Sequence, residues 1–404
     1  MNSPETPFRI TPCRLENAGG TLLDLISDIR AAASRLGDRL HPKTAADLAD
    51  RVRIMNSYYS NLIEDHFTRP RDIERAMQSA PEPDQGAGRH SQIEAAAHVR
   101  LQRSIDERFR AHQLPDPVSV DYLCALHRDF YEGIPSDMLE ITGAGRTFTM
   151  VPGELRSRHD HDNAVGQHVP PSSAVVRQFM EYFERAYALT SLSSAQQLLV
   201  LPCAHHRFNY IHPFPDGNGR VSRLMSHSMA LCAGIGAQGL WSISRGLARG
   251  LLPGADGRAQ YKQMLAYADS PRFGDLDGRG NLSEKALVEF SVWFLQVCLD
   301  QIKFMSEQFQ LGSLTDRLSD YAEKKFKRKQ AAVLLTEVLH RGEVSRGDAV
   351  LITGLKERTG RELLREIIAD GILGSDSPKT PVSLRFQVHA LEQLFPQLYP
   401  ADAR

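Results

Sequence analysis

The stretch HPFPDGNGRVSR, running from His212 to Arg223 in mid-chain, holds an imidazole, a carboxylate, two glycines around an asparagine and two arginines. Apolar residues at three- and four-residue spacing predict a helix over 192–208 before it and another over 220–233 after it. HPFPDGNG then reads as the turn joining two helices. Gly217, Asn218 and Gly219 are expected to present backbone N–H groups at a helix start, where unsatisfied donors and the helix dipole favour an anion. Glycine suits such a seat because phosphate must approach the backbone closely and left-handed dihedrals cost little there. Arg220 and Arg223, three apart, fall on one side of the second helix and are expected over the seat, where two guanidiniums can hold a polyphosphate. A carboxylate beside an anion seat is unfavourable unless a divalent cation bridges the two, so Asp216 is expected to hold Mg²⁺ together with substrate oxygens. His212 is suited to take a proton near neutral pH, and Phe214 to anchor the turn in the core.

Around this centre the chain reads as mainly α. Helical periodicity recurs over 21–35, 91–113, 173–190, 284–310 and 329–340, with turn-rich breaks at 80–88, 152–172, 252–258 and 270–283. In the last break Asp275, Asp277 and Gly280 brush against a calcium-loop pattern, but Arg279 and Ala286 stand where oxygen ligands belong. The segment is therefore read as a turn, with Ser283 capping the helix that follows. The alternating charges of RHDHD, Arg158 to Asp162, are read as a solvated loop without metal ligands.

A length of 404 residues exceeds the ~250–300 at which single cores stop growing, so more than one domain is expected. Lys+Arg 48 against Asp+Glu 49 leaves a net charge of -1, which gives no global attraction to nucleic acid or membrane. The five cysteines are far apart and form no Cys-x-x-Cys pair, arguing against a disulfide framework or a thiolate zinc site. No run approaches a membrane span and the N-terminus has no signal-peptide pattern, so a cytoplasmic protein with no membrane partner is expected.

The central pattern resembles the signature H-x-F-x-[D/E]-G-N-G-R-x-x-R of Fic-domain proteins. AHHRFNYIHPF (204–214) is similar to the family's lead-in, and PGELRSR with VGQHVPP (152–158 and 165–171) resembles its flap, a strand-like segment that aligns the target. The resemblance implies a Fic-type helical core with a short flap hairpin. It also implies transfer of AMP from ATP to a Ser, Thr or Tyr hydroxyl of a target protein or of the chain itself. His212 would be the base and Asp216 the Mg²⁺ ligand. Gly217, Asn218 and Gly219 would cradle the α- and β-phosphates, Arg220 would clamp the outer phosphates and Arg223 the γ-phosphate. The target is expected to dock as an added strand on the flap near 158–168. Other transfers on the same fold remain open, as do AMP removal and a DNA-binding regulator whose Fic-like part senses ATP. No residue is assigned to the adenine, although Trp241, Ser242 and Tyr261 lie where the family closes over the base.

Further upstream, Ser60 and Glu64 are four apart, on one helical face. S-N-L-I-E-D resembles the inhibitory motif [S/T]-x-x-x-E-[G/N] of many Fic proteins, in which the glutamate pairs with the signature's last arginine. Here that pair would be Glu64 and Arg223, with Asp65 departing from the usual Gly or Asn. Towards the C-terminus, helices at 329–340, 345–352 and 355–370, a strand near PVSLRFQV and a helix near 389–398 resemble a winged helix-turn-helix. Arg358, Arg361 and Arg365 lie along its third helix, so 325–404 is expected to contact DNA or protein. The expected organisation is an N-terminal helical region over 1–115 carrying the inhibitory motif, a catalytic domain over 116–312 and a winged-helix module over 325–404. Homo-oligomerisation is compatible with this sequence.

Overall fold

The computed structural model describes residues 5–15, 19–78, 87–143, 146–162, 164–252, 254 and 256–400; most of the 80–88 break lies outside the described residues. Its helices are α1 (Gly20–Arg35), α2 (Pro42–Ile63), α3 (Pro70–Gln78), α4 (Ala87–Arg110), α5 (Val120–Phe130), α6 (Val176–Tyr187), α7 (Ser194–Ile211) and α8 (Asn218–Cys232). They continue with α9 (Ile243–Arg249), α10 (Gly257–Ala268), α11 (Glu284–Gln308), α12 (Leu311–Phe326), α13 (Lys329–Arg341), α14 (Arg346–Ile352), α15 (Glu357–Asp370) and α16 (Val388–Leu394). The expectation of a mainly α fold is met.

The pair α7 and α8 forms the centre. Ser193 and Gln196 close a reciprocal capping box at the start of α7, satisfying two end donors. Nearly every residue of α8 from Asn218 to Leu231 is buried, so it is walled in on all sides rather than amphipathic. α11 packs on α1, α7, α9 and α10, while α2 packs on α4, α8 and α9. Ser283 accepts from the Ala286 amide at 3.0 Å and so caps α11 as expected. In the preceding turn, Asp277 accepts from the Phe273 and Lys285 amides at 2.9 and 2.8 Å, the behaviour of a turn-building residue.

Strands are few. β1 (Glu140–Gly143) and β2 (Arg146–Thr149) form an antiparallel hairpin that the sequence reading did not anticipate. The expected flap hairpin is reduced to one antiparallel bridge, Val165 to His168, with Gly166 at φ 63° in the tight reversal. Four residues leave room for a single pair, and only glycine takes this dihedral cheaply.

At the C-terminus the order is α13, β3 (Glu343–Val344), α14, α15, β4 (Leu373–Gly374), β5 (Val382–Leu384), with β5 in the middle of the small sheet. The expected gap at 313–324 lies inside α12, which packs on α13 and α16. This C-terminal part is docked on α2: Thr44 Oγ1 donates to the Leu339 carbonyl at 3.0 Å, Arg385 faces Asp47 at 3.7 Å, and Tyr59 Oη donates to the Leu398 carbonyl at 2.9 Å. Among the described residues no helix is long and apolar enough to cross a membrane.

Candidate active site

The turn between α7 and α8 is shorter than the sequence suggested. α7 does not stop before Asn209, because that side chain donates back to the His205 carbonyl at 2.7 Å and Ile211 is buried. α8 begins at Asn218, so only 212–217 are turn, and Asn218 and Gly219 belong to the first helical turn. His212 ends α7 in a left-handed conformation (φ 50°, ψ 60°), and Gly217 precedes α8 at φ 77°. Asn218 directs its side chain into the turn: Oδ1 accepts from the Phe214 amide at 2.9 Å and Nδ2 donates to the Phe214 carbonyl at 2.7 Å. Phe214 is fully buried and stacks on the His127 ring at 4.0 Å. The turn is thus fixed from inside, leaving the backbone N–H groups of the first turn of α8 at its open end.

Burial pushes His212 down to about 4, with Arg156 and His168 adding to the effect against the opposing pull of Asp216 and Glu64. At neutral pH the imidazole is uncharged and can accept a proton. Asp216 receives Tyr131 Oη at 2.8 Å and Arg220 Nη2 at 3.2 Å, both on Oδ2. Burial would raise its carboxyl, but Arg220, the Tyr131 hydroxyl and the Gly217 amide outweigh this and hold it below the usual carboxylate range. Gly153 N–H donates to His127 Nδ1 at 2.8 Å, so Nε2–H of that ring points to the Asp216 carbonyl at 3.2 Å. Burial pushes His127 down to about 4, which keeps this tautomer neutral. A Cβ at position 217 would lie 2.7 Å from Tyr131 Oη, a second reason for glycine there.

Arg220 and Arg223, expected side by side over an anion seat, are instead enclosed and turn to different partners. Arg220 reaches Glu94 and Asp216 and lies over the Phe130 ring at 5.2 Å. Arg223 reaches α2: Nε donates to Ser60 Oγ at 2.9 Å, and Nη2 to the Ser60 carbonyl at 3.1 Å and to Glu64 Oε1 at 2.7 Å. Ser60 and Glu64 therefore meet at one guanidinium, with Glu64 just past the last helical residue as the C-cap of α2. A Cβ at position 219 would run into the Glu64 carboxylate, so that carboxylate sits directly over the start of α8.

The next two residues are anchored as well. Asp65 takes φ 60°, a conformation that Gly and Asn favour and Asp tolerates. Its carboxylate meets Arg258 at 2.9 Å and Lys262 at 3.4 Å, both on α10. His66 Nδ1 lies 2.7 Å from Glu94, which also binds Arg220. The extra negative charge of Asp65 is therefore matched away from Arg223.

Sequence reasoning missed a second layer around His212. Arg156, in PGELR, is 2% exposed and binds both the turn and the flap. Its partner Asp162 also accepts from the Ser173 amide at 2.8 Å, so this end of RHDHD is built in rather than solvated. Below the flap, His168 contacts Asp269 at 3.0 Å and the Tyr210 carbonyl at 2.8 Å. Arg9 donates to the Val169 carbonyl at 2.5 Å, and Glu5 accepts from the Ser172 amide at 3.0 Å. Trp241, Ser242 and Tyr261 are all buried, with polar atoms engaged by Ile235, Asn56 and His205 respectively.

The fold and this turn define a Fic-type domain: residues 117–230 match the model of the Fic/DOC family. That stretch of the chain is a Fic domain. Among curated relatives, proteins named "Protein adenylyltransferase Fic" from Drosophila erecta and Drosophila ananassae are 37% and 40% identical over 82 residues. The match spans 20% of this chain and 16% of each relative's length. A crystal structure of a Fic family protein from Desulfovibrio desulfuricans G20 superposes with a TM-score of 0.53 at 18% identity, covering 92% of this chain and 98% of the other. That likeness concerns the fold.

Proposed function

We propose that the chain is a protein adenylyltransferase that moves AMP from ATP to a Ser, Thr or Tyr hydroxyl of a target protein or of itself, and that Glu64 holds it inhibited. The single observation carrying this reading is the 2.7 Å pair between Glu64 and Arg223 over the start of α8, beside a neutral His212 and an ionised Asp216. The curated relatives' name agrees with it.

In this reading the phosphates of ATP lie against the backbone N–H groups at the start of α8, with Gly217, Asn218 and Gly219 forming the cradle. The target hydroxyl attacks the α-phosphorus while His212 takes its proton. A new O–P bond forms, the bond to the β-phosphate oxygen breaks, and pyrophosphate departs. Arg223 would steady the γ-phosphate once Glu64 releases it, and Arg220 keeps Asp216 ionised and aimed. Asp216 fits Mg²⁺: its side chain is 45% exposed while its charge is fixed by Arg220 and Tyr131. Among the described residues no group of three or more His, Cys, Asp or Glu could hold a metal ion, so such an ion would complete its shell with phosphate oxygens and water. When bound it would neutralise phosphate charge.

The test is incorporation of labelled AMP, read by intact mass, with ATP and Mg²⁺. Glu64→Gly should label target or self more than the wild type, and adding His212→Ala should abolish the label. Equal labelling by wild type and Glu64→Gly would reject the inhibitory contact. Hydrolytic removal of AMP, with Glu64 orienting water, predicts loss of activity in Glu64→Gly instead. A mass shift other than AMP would assign another transfer on this fold.

A target strand pairing with the flap near 158–168 is supported by the exposure of Val165 and Val169. Contact of the C-terminal module with DNA or protein is supported by the exposed Arg358 and Arg361 on α15, although each is paired to a glutamate of that helix. A salt-dependent gel shift of the full chain that is insensitive to Arg361→Glu would reject DNA readout by this helix.

A further inference from the structure

His212 holds a left-handed dihedral that costs a non-glycine residue roughly 1–2 kcal/mol, so something must hold it there. Among the described residues the flap pairs with itself through one bridge, Val165 to His168, so its distance from His212 has to be set by contacts outside the flap. One side chain answers both needs. Arg156 Nε donates to the His212 carbonyl at 2.7 Å and Nη2 to the Ile211 carbonyl at 3.2 Å, so it satisfies the last carbonyls of α7. The same Nη2 donates to the Pro171 carbonyl at 2.8 Å and Nη1 to Asp162 at 2.9 Å, on the two sides of the flap bridge. Its own amide donates to the Pro213 carbonyl at 2.8 Å.

We propose that Arg156 is the positioning residue of the AMP transfer described above, setting the base His212 and the target-docking flap in one rigid frame. The inference rests on that reading of the reaction. A planar fork with several donors can bind carbonyls of the turn, a carbonyl of the flap and a carboxylate together, which a lysine ammonium on a flexible stem cannot do in fixed geometry. Burial is matched by Asp162, its ion-pair partner. The arrangement has an electrostatic consequence as well. The charge of Arg156 lies against His212 and, after burial, does most to keep the ring neutral; His168 acts in the same sense, while Asp216 and Glu64 oppose it. One residue would then place the proton acceptor, keep it unprotonated and hold the docking strand at the right distance.

The experiment uses the full chain with ¹³C-labelled histidine, His212 assigned by its loss in His212→Ala, together with Mg²⁺–ATP calorimetry and AMP-transfer kinetics in the Glu64→Gly background. With a midpoint of about 4, roughly one tenth of the wild-type rings are protonated at pH 5. Arg156→Gln, which removes the charge, should raise the midpoint by about one unit, leaving about half protonated at pH 5. Arg156→Lys should restore the titration but not the docking: its KM for target protein should stay about tenfold or more above the parent. Mg²⁺–ATP affinity should move less than about twofold in either variant, because the start of α8 is untouched. Should Arg156→Gln not fold, Asp162→Asn tests the flap half alone, with an expected several-fold rise in KM and little change in kcat. An unmoved His212 midpoint in Arg156→Gln, or an unchanged target KM in Arg156→Lys and Asp162→Asn, overturns the proposal. Absence of any AMP transfer by the Glu64→Gly parent rejects the reaction instead, and the titration still decides whether Arg156 governs His212.

Discussion

Replacing Glu64 by glycine should tighten Mg²⁺–ATP binding about thirtyfold. Arg223 is 1% exposed in its side chain and Glu64 32%, with their atoms 2.7 Å apart. A hydrogen bond to a charged group contributes about 1.5–3 kcal/mol, and a γ-phosphate must displace this one before it can use Arg223. Removing one member of a fully buried pair would cost ~3–5 kcal/mol by stranding the other charge. Here the cost is smaller, because Arg223 keeps Ser60 Oγ and the Ser60 carbonyl as acceptors at 2.9 and 3.1 Å. The partial exposure of Glu64 also discounts its contribution. A middle value of about 2 kcal/mol converts to about thirtyfold in affinity. The assay is calorimetric titration of ATP with Mg²⁺ into wild type and Glu64→Gly at one salt concentration. Glu64→Gln should fall between them, since an amide keeps an acceptor but not the charge. Affinities of the wild type and Glu64→Gly within twofold of one another would refute the argument that Glu64 and ATP compete for one guanidinium.

Three further outcomes follow from the same geometry. Asp65→Asn keeps a residue that tolerates φ 60° but loses the pairs to Arg258 and Lys262. Because Asp65 and Lys262 are mostly exposed, those pairs are worth ~0–1 kcal/mol, so AMP transfer should rise no more than about fivefold; a release matching Glu64→Gly would refute this. Gly217→Ala meets both a strained dihedral and Tyr131 Oη at 2.7 Å, so it should destabilise the fold by about 1–3 kcal/mol and lower Mg²⁺-dependent activity; an unchanged melting temperature would contradict it. Finally, His127 and His212 sit at about 4, and His98 and His205 at about 3, against 6.5 when unfolded, in each case chiefly through burial. The unfolded chain binds more protons below 6.5, so this stability is complete above that pH and drains away as pH falls towards 4. Melting temperatures at pH 7.5, 5.5 and 4.5 should fall in that order, and a flat profile would show these rings to be accessible.

The turn was legible in the sequence because its chemistry is local. Asn218 bonds both backbone groups of Phe214, so the closure of the loop is written within the twelve residues, while its packing on His127 and Tyr131 is not. The Ser60–Glu64 pairing with Arg223 was legible only by resemblance, since four-residue spacing recurs on any helix. That Asp65 takes a left-handed dihedral gives a physical reason for the Gly or Asn usual there. What escaped the reading depends on partners far away in sequence. The pairing of Arg220 with Glu94 on α4 is one such case, since no spacing rule links positions 94 and 220. Asp162 looked solvated because its neighbours Arg158 and Asp160 are; the buried Arg156 that recruits it is distinguished only by its fold context. Residues 313–324, which fall between the two expected C-terminal units, lie within α12, where Leu314, Leu318, Tyr321 and Ala322 are buried at helical spacing. Beyond that helix, Tyr59 of α2 holds the Leu398 carbonyl, so the helix that ends in Glu64 is braced by the far C-terminus of the chain. The Glu64–Arg223 contact therefore draws on α2 and α8 directly and, through Tyr59, on the segment around Leu398.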